Sequence, residues 1–446
     1  MTFDLFAKYD RPVPRYTSYP PVPFWNGPPT EANWISHLDD AMAMQDSKLD
    51  LYVHIPYCES LCYYCGCART ITKDKSRGAD YVSLLITEWK LYLEKLKYRP
   101  TINSLHFGGG TPNFLRPQDL DTLLNFLSQH FSADFIGSIE LDPRTVTSEH
   151  LNVLNNYSFQ RISLGIQDFN LEVQKAIHRI QPFSLVDSLV STLRRMNFKS
   201  INFDLIYGLP KQNHQTIKDT IQSVLALAPD LMACYSYAHL PEKMANQKLI
   251  HSEDLTNGQD KRRIFEIMSE NFISANYQAI GMDHFGLPTS YLCQAKAQAK
   301  LHRNFMGYID HKSDVLLGLG ITSISQSPNS FMQNSKRLED YVTHLKMGEL
   351  PIEHGHHLSA LDREISKQIQ KLFCYETLNY PELRKLPHFE QMSDSLATFE
   401  QENILYHDNK LLQLTMSGRP FLRSVAALLD PHLQGQFPST RFSQSI

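Results

Sequence analysis

The sequence predicts an α/β protein built on a full or partial parallel barrel. Short apolar runs rich in β-forming residues recur from Leu51 to about residue 325, and segments with helical periodicity separate them. Strand alternating with helix predicts a parallel sheet with right-handed crossovers, and six or more such units favour a barrel. The runs are LYVHI (51–55), INSLHF (102–107), SIEL (138–141), RISLGI (161–166), INFDLI (201–206), MACYSY (232–237) and YQAIGM (277–282).

The segment between the first two runs predicts an amphipathic helix. Its large apolar residues repeat at steps of three and four, which places them on one helical face. We expect this face to pack on the sheet. The residues are Tyr81, Leu85, Trp89, Tyr92 and Leu96.

Several predicted strands end on residues that carry chemistry. A cluster of cysteines follows the first run, GGGTP (108–112) follows the second, and Glu140 lies in the third. Later runs end near Gln167, Asp204 and His284. Because the carboxyl ends of parallel barrel strands meet at one face, we expect these residues to converge there.

The chain is predicted to contain an extended N-terminal arm (1–40), a barrel (41–345) and a mostly helical C-terminal cap domain (346–446). The segment RPVPRYTSYPPVPF (11–24) has too many prolines for a helix. From about residue 350 the pattern becomes helical with one hairpin, ILYHDNKLLQLT (404–415), which has a winged-helix character.

Composition excludes several classes of protein. The formal charge of -4 and the pI near 6.5 argue against nucleic acid as a partner. The N-terminus lacks the apolar core of a secretory signal, and no run of about 18 apolar residues occurs, so we expect a cytoplasmic protein without a membrane partner. An odd number of cysteines, seven, with four crowded together, indicates a reducing compartment.

The crowded cysteines lie in CESLCYYCGC (58–67) and allow three interpretations. A structural zinc site normally needs a second C-x2-C pair at a distance, and the chain lacks one. A redox disulfide between Cys62 and Cys65 leaves Cys58 and Cys67 unexplained. The spacing C-x3-C-x2-C favours a 4Fe-4S cluster bound by Cys58, Cys62 and Cys65, with one iron left open for a substrate.

This cysteine spacing, in the loop after the first barrel strand, is typical of radical S-adenosylmethionine (SAM) enzymes. Further motifs make the chain resemble the oxygen-independent coproporphyrinogen III dehydrogenases of haem biosynthesis. The resemblance implies a partial (β/α)6-type radical SAM barrel with an N-terminal arm and a mostly helical C-terminal domain. The motifs are RYTSYPP (15–21), YVHIPYCESLCYYCGC (52–67), HFGGGTP (106–112), IELDP (139–143), LGIQDF (164–169), DLIYGLP (204–210), YAHLP (237–241), GMDHF (281–285), HRNFMGY (302–308) and RFSQSI (441–446).

The resemblance implies two SAM molecules side by side. The first is implied to contact Tyr52, Gly109, Glu140 and Ile324. The second is implied to contact Tyr64, Gly110, Thr111, Gln167, Arg179, Asp204 and Ala238. The residue types suit these roles, because glycines permit close backbone approach and an arginine binds a carboxylate in bidentate fashion.

The implied reaction is oxidative decarboxylation of two propionates of coproporphyrinogen III to vinyls, giving protoporphyrinogen IX. A 5'-deoxyadenosyl radical made from SAM takes a hydrogen from the propionate β-carbon, and loss of CO2 and one electron follows. An electron donor, unidentified, is a required partner, and we expect a monomer. Capping of the open iron by Cys67 would block SAM, so we expect this cysteine to act in turnover. Arg15 and Arg303 are candidate partners of substrate carboxylates.

Two features depart from the family pattern, namely the residues after Phe285 and the pair Ser366-Lys367. Two alternatives lie within the superfamily: a haem chaperone, which also carries C-x3-C-x2-C, and a radical SAM methyltransferase that opens the haem ring. The chaperones usually lack the cysteine two positions after the cluster motif and the RYTSYP arm, and this chain has both. A zinc-stabilised module is the alternative outside the class.

Overall fold

The computed structural model describes residues 3–44, 47–408, 410–433 and 442. The chain divides into two compact units. The barrel unit comprises Gly27–Tyr277 and Ser313–His357, and the cap unit comprises Met1–Asn26, Gln278–Lys312 and Leu358–Ile446. These units reflect packing, and the three domains expected from the sequence stay a prediction. The motif RFSQSI lies outside the described residues except for Phe442.

Six parallel strands form the centre of the barrel unit, and they are hydrogen-bonded in chain order. The strands are Leu49–Ile55, Ile102–Gly109, Phe131–Leu141, Phe159–Gln167, Ser200–Tyr207 and Leu231–Ser236. Each contains one of the first six apolar runs. At the other edge, Val315–Leu319 pairs in parallel with the first strand, and Ile324–Gln326, Ser330–Asn334 and Ile352–His357 continue antiparallel. The strand order in the described chain is linear, so the sheet is an open partial barrel.

Helices connect the parallel strands, which confirms the predicted strand–helix repeat. The helices of the barrel unit are Glu31–Met42, Ser76–Lys95, Pro117–Ser128, Ser148–Asn156, Leu171–Ala176, Phe183–Arg195, His214–Leu227, Gly258–Ser274 and Leu338–Lys346. The predicted amphipathic helix is Ser76–Lys95, and Tyr81, Leu85, Trp89 and Tyr92 on its apolar face are buried. Within the described chain, none of the helices is long and apolar enough to span a membrane.

The cap unit is mainly helical. Its helices are Phe3–Tyr9, Tyr291–Ala297, Ala360–Tyr375, Tyr380–Leu383, Phe389–Gln401 and Leu422–Leu428. Leu405–His407 and Leu411–Leu414 form the predicted hairpin, and Thr377–Asn379 adds a third strand to it. Two further strands, His302–Asn304 and Gly307–Ile309, pair with each other. A core around Phe373, Phe399 and Phe421 joins the helices to this sheet.

The sequence suggested that the seventh apolar run is another parallel barrel strand, and this prediction was wrong. Gln278–Gly281 pairs antiparallel with His284–Gly286. Only Met282 and Asp283 separate these two strands. A parallel crossover needs a connection of about a dozen residues, so a link this short permits only an antiparallel hairpin.

The proline-rich segment 11–24 contains no α-helix, as predicted, and has a single 3-10 turn at Val22–Phe24. Buried arginines hold its backbone. Arg303 Nη1 donates to the carbonyls of Arg15 (3.0 Å) and Tyr16 (2.7 Å). Arg423 donates to the carbonyls of Val13 and Pro14. We call Val13–Tyr16 with these two arginines the arm clasp. The hydrogen bonds of Arg303 Nη1 therefore go to the arm, and they do not support its predicted role as a partner of a substrate carboxylate.

Candidate active site

The ends of the parallel strands surround a cavity of about 260 Å³ in the barrel unit. Twelve of the predicted site residues line it: Cys58, Cys62, Tyr64, Cys65, Cys67, Gly109, Gly110, Thr111, Glu140, Gln167, Arg179 and Asp204. Tyr52, Ala238 and Ile324 are not part of this lining. Residues that the sequence analysis did not single out also line it: Ser60, Arg69, Pro112, Leu141, Asp142, Arg144, Gly165 and Tyr235.

The cysteine loop begins on a short strand. Tyr57–Cys58 pairs in parallel with Thr70–Ile71, and Thr72 N donates to Cys58 O at 2.9 Å. The loop then turns back on itself, since Cys65 N donates to Cys62 O at 3.3 Å. These bonds bring both ends of the loop together at the cavity.

Side chains distant in sequence hold the carbonyl groups of this loop. Asn246 Nδ2 lies 2.8 Å from Tyr63 O and 2.9 Å from Cys65 O. Gln247 Nε2 donates to Tyr64 O at 3.0 Å, and His178 Nδ1 lies 2.8 Å from Leu61 O. Asn246 and Gln247 were not predicted as site residues, because polar residues between predicted elements carry no signal of what they contact.

The thiols of the loop differ in their acidity. Burial raises the pKa of Cys58 to about 11, although the hydroxyl of Thr111, 3.2 Å away, opposes this. A hydrogen bond from Cys67 lowers the pKa of Cys65 to about 6, and the same bond raises the pKa of Cys67 well above its usual value. The proton thus stays on Cys67, and Cys65 is the thiolate of the pair. A thiolate is the form that binds metal.

Glycines allow the second strand to approach the cysteine loop. Gly109 has a φ of +115°, and a Cβ there would lie 2.7 Å from the ring of His54. A Cβ on Gly110 would lie 2.9 Å from the backbone carbon of Pro56. A larger residue at either position would push this strand away from the cavity.

Two carboxylates at the cavity are fixed by neighbouring polar groups. His106 Nε2 lies 3.4 Å from Glu140 Oε1. Asp204 accepts hydrogen bonds from Ser163 Oγ at 2.8 Å and from Asn202 Nδ2 at 2.9 Å. Both side chains are therefore oriented in advance, as the binding of hydroxyl or ammonium groups requires.

Asp142 joins the two arginines that lie closest to Cys62. Arg144 forms a bidentate pair with its carboxylate, at 2.9 and 2.6 Å, and Arg179 Nη1 donates to it at 3.1 Å. Burial tends to raise the pKa of Asp142, but the charge of Arg179 and the bonds from Arg144 outweigh it and hold the pKa to about 2. Arg179 also donates to Gly165 O at 2.7 Å.

The sequence contained a signal for Asp142, which lies in the motif IELDP, but not for Arg144. Nη2 of Arg144 and Nη1 of Arg179 lie 3.8 and 3.7 Å from Cys62 Sγ. Both guanidinium groups therefore direct N–H groups toward the sulfur of Cys62.

These residues fit an iron–sulfur cluster. Among the described residues, no three histidine, cysteine, aspartate or glutamate side chains form a group able to hold a single metal ion. A cluster makes a different demand, because each thiolate binds a separate iron. Cys58, Cys62 and Cys65 line one cavity, and two arginines face the sulfur of Cys62.

Comparison with known proteins agrees with this geometry. The profile of the Radical SAM superfamily matches residues 52–224. An oxygen-independent coproporphyrinogen III oxidase of Pseudomonas aeruginosa is 38% identical over 99% of this chain and 98% of its own length. One of Helicobacter pylori is 36% identical over 97% of each chain.

A solved structure also matches along most of the chain. The coproporphyrinogen III oxidase (HemN) of Escherichia coli, described as a radical SAM enzyme, is 33% identical with a TM-score of 0.86. The match covers 94% of this chain and 98% of that chain. The chain therefore belongs to the family of oxygen-independent coproporphyrinogen III oxidases, within the radical SAM superfamily.

Proposed function

We propose that this protein converts coproporphyrinogen III to protoporphyrinogen IX without oxygen, by oxidative decarboxylation of two propionates to vinyls. One observation carries the proposal: the cysteines of C-x3-C-x2-C line a single cavity together with Cys67, the glycine strand end and Glu140. The near full-length relatives bear the name of this activity.

The proposed cofactors are a 4Fe-4S cluster and SAM. Cys58, Cys62 and Cys65 would bind three irons. When bound, the cluster supplies an electron and SAM supplies the group that takes a hydrogen atom from the substrate. The protein positions the reactants and excludes water.

We further propose two SAM molecules per site. The cavity lining supports this, since it contains residues implied for the first SAM, Gly109 and Glu140, and residues implied for the second, Gln167 and Asp204. Tyr52 and Ile324 stay proposed contacts of the first SAM, and Ala238 of the second.

The side chains have distinct tasks in this scheme. Gly109 and Gly110 allow the end of the second strand to pack closely against His54 and Pro56 at the cavity. Arg179 and Arg144 share the charge of Asp142 and keep positive charge beside Cys62. Cys67 is exposed and lines the cavity beside the three proposed ligand cysteines. We propose that it acts in substrate turnover.

Anaerobic reconstitution tests the proposal. Protein loaded with iron and sulfide should be brown, and with SAM, a reductant and coproporphyrinogen III it should form protoporphyrinogen IX. Tight haem binding without decarboxylation would assign the chain to the haem chaperones, and methyl transfer to haem would assign it to the ring-opening enzymes. A colourless protein with one bound zinc would exclude the radical reaction.

We also propose that the enzyme acts as a monomer in the cytoplasm, and that an unidentified electron donor reduces the cluster. Support for a reducing compartment comes from the seven cysteines, none of which forms a disulfide bond. Sedimentation of the reconstituted protein at working concentration tests the monomer.

A further inference from the structure

Arg69 is a cavity residue that the proposed mechanism does not use. Its Nη1 donates to the carbonyl oxygen of Cys67 at 2.8 Å. Its Nε is buried and has no hydrogen-bond partner among the described residues. An N–H group buried in this way destabilises the protein unless an acceptor binds it. The guanidinium group of this cavity residue therefore has hydrogen-bonding capacity that its protein contacts leave unused.

The three guanidinium groups that line the cavity differ in their partners. Arg144 and Arg179 both bind the carboxylate of Asp142. The hydrogen bond of Arg69, in contrast, goes to a neutral backbone carbonyl. Arg69 thus brings to the cavity a positive charge that this neutral carbonyl does not balance.

The backbone fixes Arg69 in place. The next residue, Thr70, begins the short strand that pairs with Tyr57–Cys58, and Thr70 N donates to Pro56 O at 2.6 Å. The side chain therefore starts from a backbone that is bonded to the cysteine loop. A site residue needs this kind of support to hold a ligand in one geometry.

We propose that Arg69 binds a propionate carboxylate of the tetrapyrrole beside Cys67. This inference rests on the proposed function, which supplies a substrate with several propionates. A planar guanidinium matches a carboxylate in geometry and charge.

The carboxylate bound by Arg69 is one that does not react in that turnover. A propionate loses its negative charge as CO2 leaves, so a cation bound to the reacting carboxylate would stabilise the starting state and slow the step. A retained propionate keeps its charge throughout. Arg69 therefore acts as a positioning residue, and it binds the substrate equally well before and during reaction.

This role predicts a specific kinetic change. The holoenzyme variant Arg69→Gln keeps a donor for Cys67 O and removes the charge. Its KM for coproporphyrinogen III should rise about tenfold to a hundredfold, the range expected when one charge-assisted contact is lost, while kcat stays near the wild-type value. Arg69→Lys should show a smaller rise in KM, because an ammonium keeps the charge but not the planar fork.

Matched measurements separate this role from a structural one. Arg77→Gln removes an exposed arginine that is not part of the cavity lining and whose ion pair with Asp74 is long at 3.9 Å, so it should leave KM unchanged. Iron content and SAM cleavage without substrate should equal wild type in every variant.

Two results would overturn the inference while leaving the proposed function intact: an unchanged KM in Arg69→Gln, or loss of iron in both Arg69 variants, which would assign Arg69 to the loop structure. If wild-type holoenzyme fails to convert coproporphyrinogen III, the proposed function itself fails.

Discussion

The cavity of the barrel unit and the arm clasp of the cap unit both contain buried arginines, but they use them differently. In the clasp, Arg303 and Arg423 donate to the carbonyls of Val13–Tyr16. Arg303 also lies over the rings of Tyr308 and Phe373, 5.7 and 5.0 Å from their centres. In the cavity, Arg179 leaves a buried Nε without a partner among the described residues.

The difference shows how a functional arginine is distinguished from a structural one. Donors in the clasp satisfy the backbone of a proline-rich segment that cannot form a helix, so they stabilise the fold. The arginines of the cavity instead place their positive charge beside the cysteines, where it can act on a bound ligand. Substitutions in the cavity should therefore abolish activity and leave the stability of the fold unchanged. Substitutions in the clasp should lower the stability and leave activity unchanged.

The largest effect is expected at the cysteines. Cys62→Ser should lose the cluster and all activity, because an alcohol is a poor replacement for a thiolate ligand. Cys67→Ser is its matched control and should keep the cluster while losing decarboxylation. Absorbance, iron content and product formation measure both. A stable cluster in Cys62→Ser, or its loss in Cys67→Ser, would contradict the division into three ligands and one turnover residue.

A smaller effect, on stability alone, is expected in the clasp. Arg303→Met keeps the apolar packing but leaves the carbonyls of Arg15 and Tyr16 without this hydrogen-bond donor. Two acceptors that lose their donor should cost roughly 2–5 kcal/mol of stability. Calorimetry should show a lower transition temperature with iron content and KM unchanged. A raised KM at wild-type stability would instead restore Arg303 as a substrate partner.

The smallest effect concerns Glu88, a buried charge of the barrel unit that lies away from the cavity lining. Its carboxylate accepts from Asn334 Nδ2 (2.6 Å), Gly320 N (2.8 Å) and Tyr341 OH (2.6 Å). Burial nevertheless raises the pKa of Glu88 to about 7, against the effect of these bonds.

The raised pKa of Glu88 makes the stability of the protein fall as the pH rises. The folded state holds the proton between the ordinary pKa of 4.5 and about 7, so this stabilisation is complete below that window and is lost as pH rises through it. The stability of wild type relative to Glu88→Gln, measured from their transition temperatures, should decrease as the pH rises from about 5 to about 8. The corresponding decrease in the free energy of unfolding should be at most about 3 kcal/mol. A constant difference would show that Glu88 stays ionised.

Much of the fold could be predicted because strand and helix signals are local. The six parallel strands follow the apolar runs, and the helix Ser76–Lys95 follows its repeat. The seventh run was misassigned because an isolated strand pattern does not reveal its partner. Glu88, three residues after Leu85 on the same helical face, was a visible signal of a buried charge that the sequence analysis did not use.

The site was predictable where a motif surrounds the residue. Twelve of the predicted residues line one cavity, whereas Asn246, Arg144 and Arg69 were missed. Their importance arises from contacts with residues elsewhere in the chain or from the space that they face. The contacts of Arg303 with the arm could not be predicted for the same reason, and its assignment to the substrate stays a prediction.

The sequence by itself determined the order of strands and helices, the cysteine spacing and the family, because these depend on neighbouring residues. Only the tertiary structure decided which donors remain free for a ligand. A hydrogen bond depends on distance and direction between atoms far apart in the chain. Arginines therefore hold the arm in the cap unit, whereas in the barrel unit Arg69 is the proposed substrate contact.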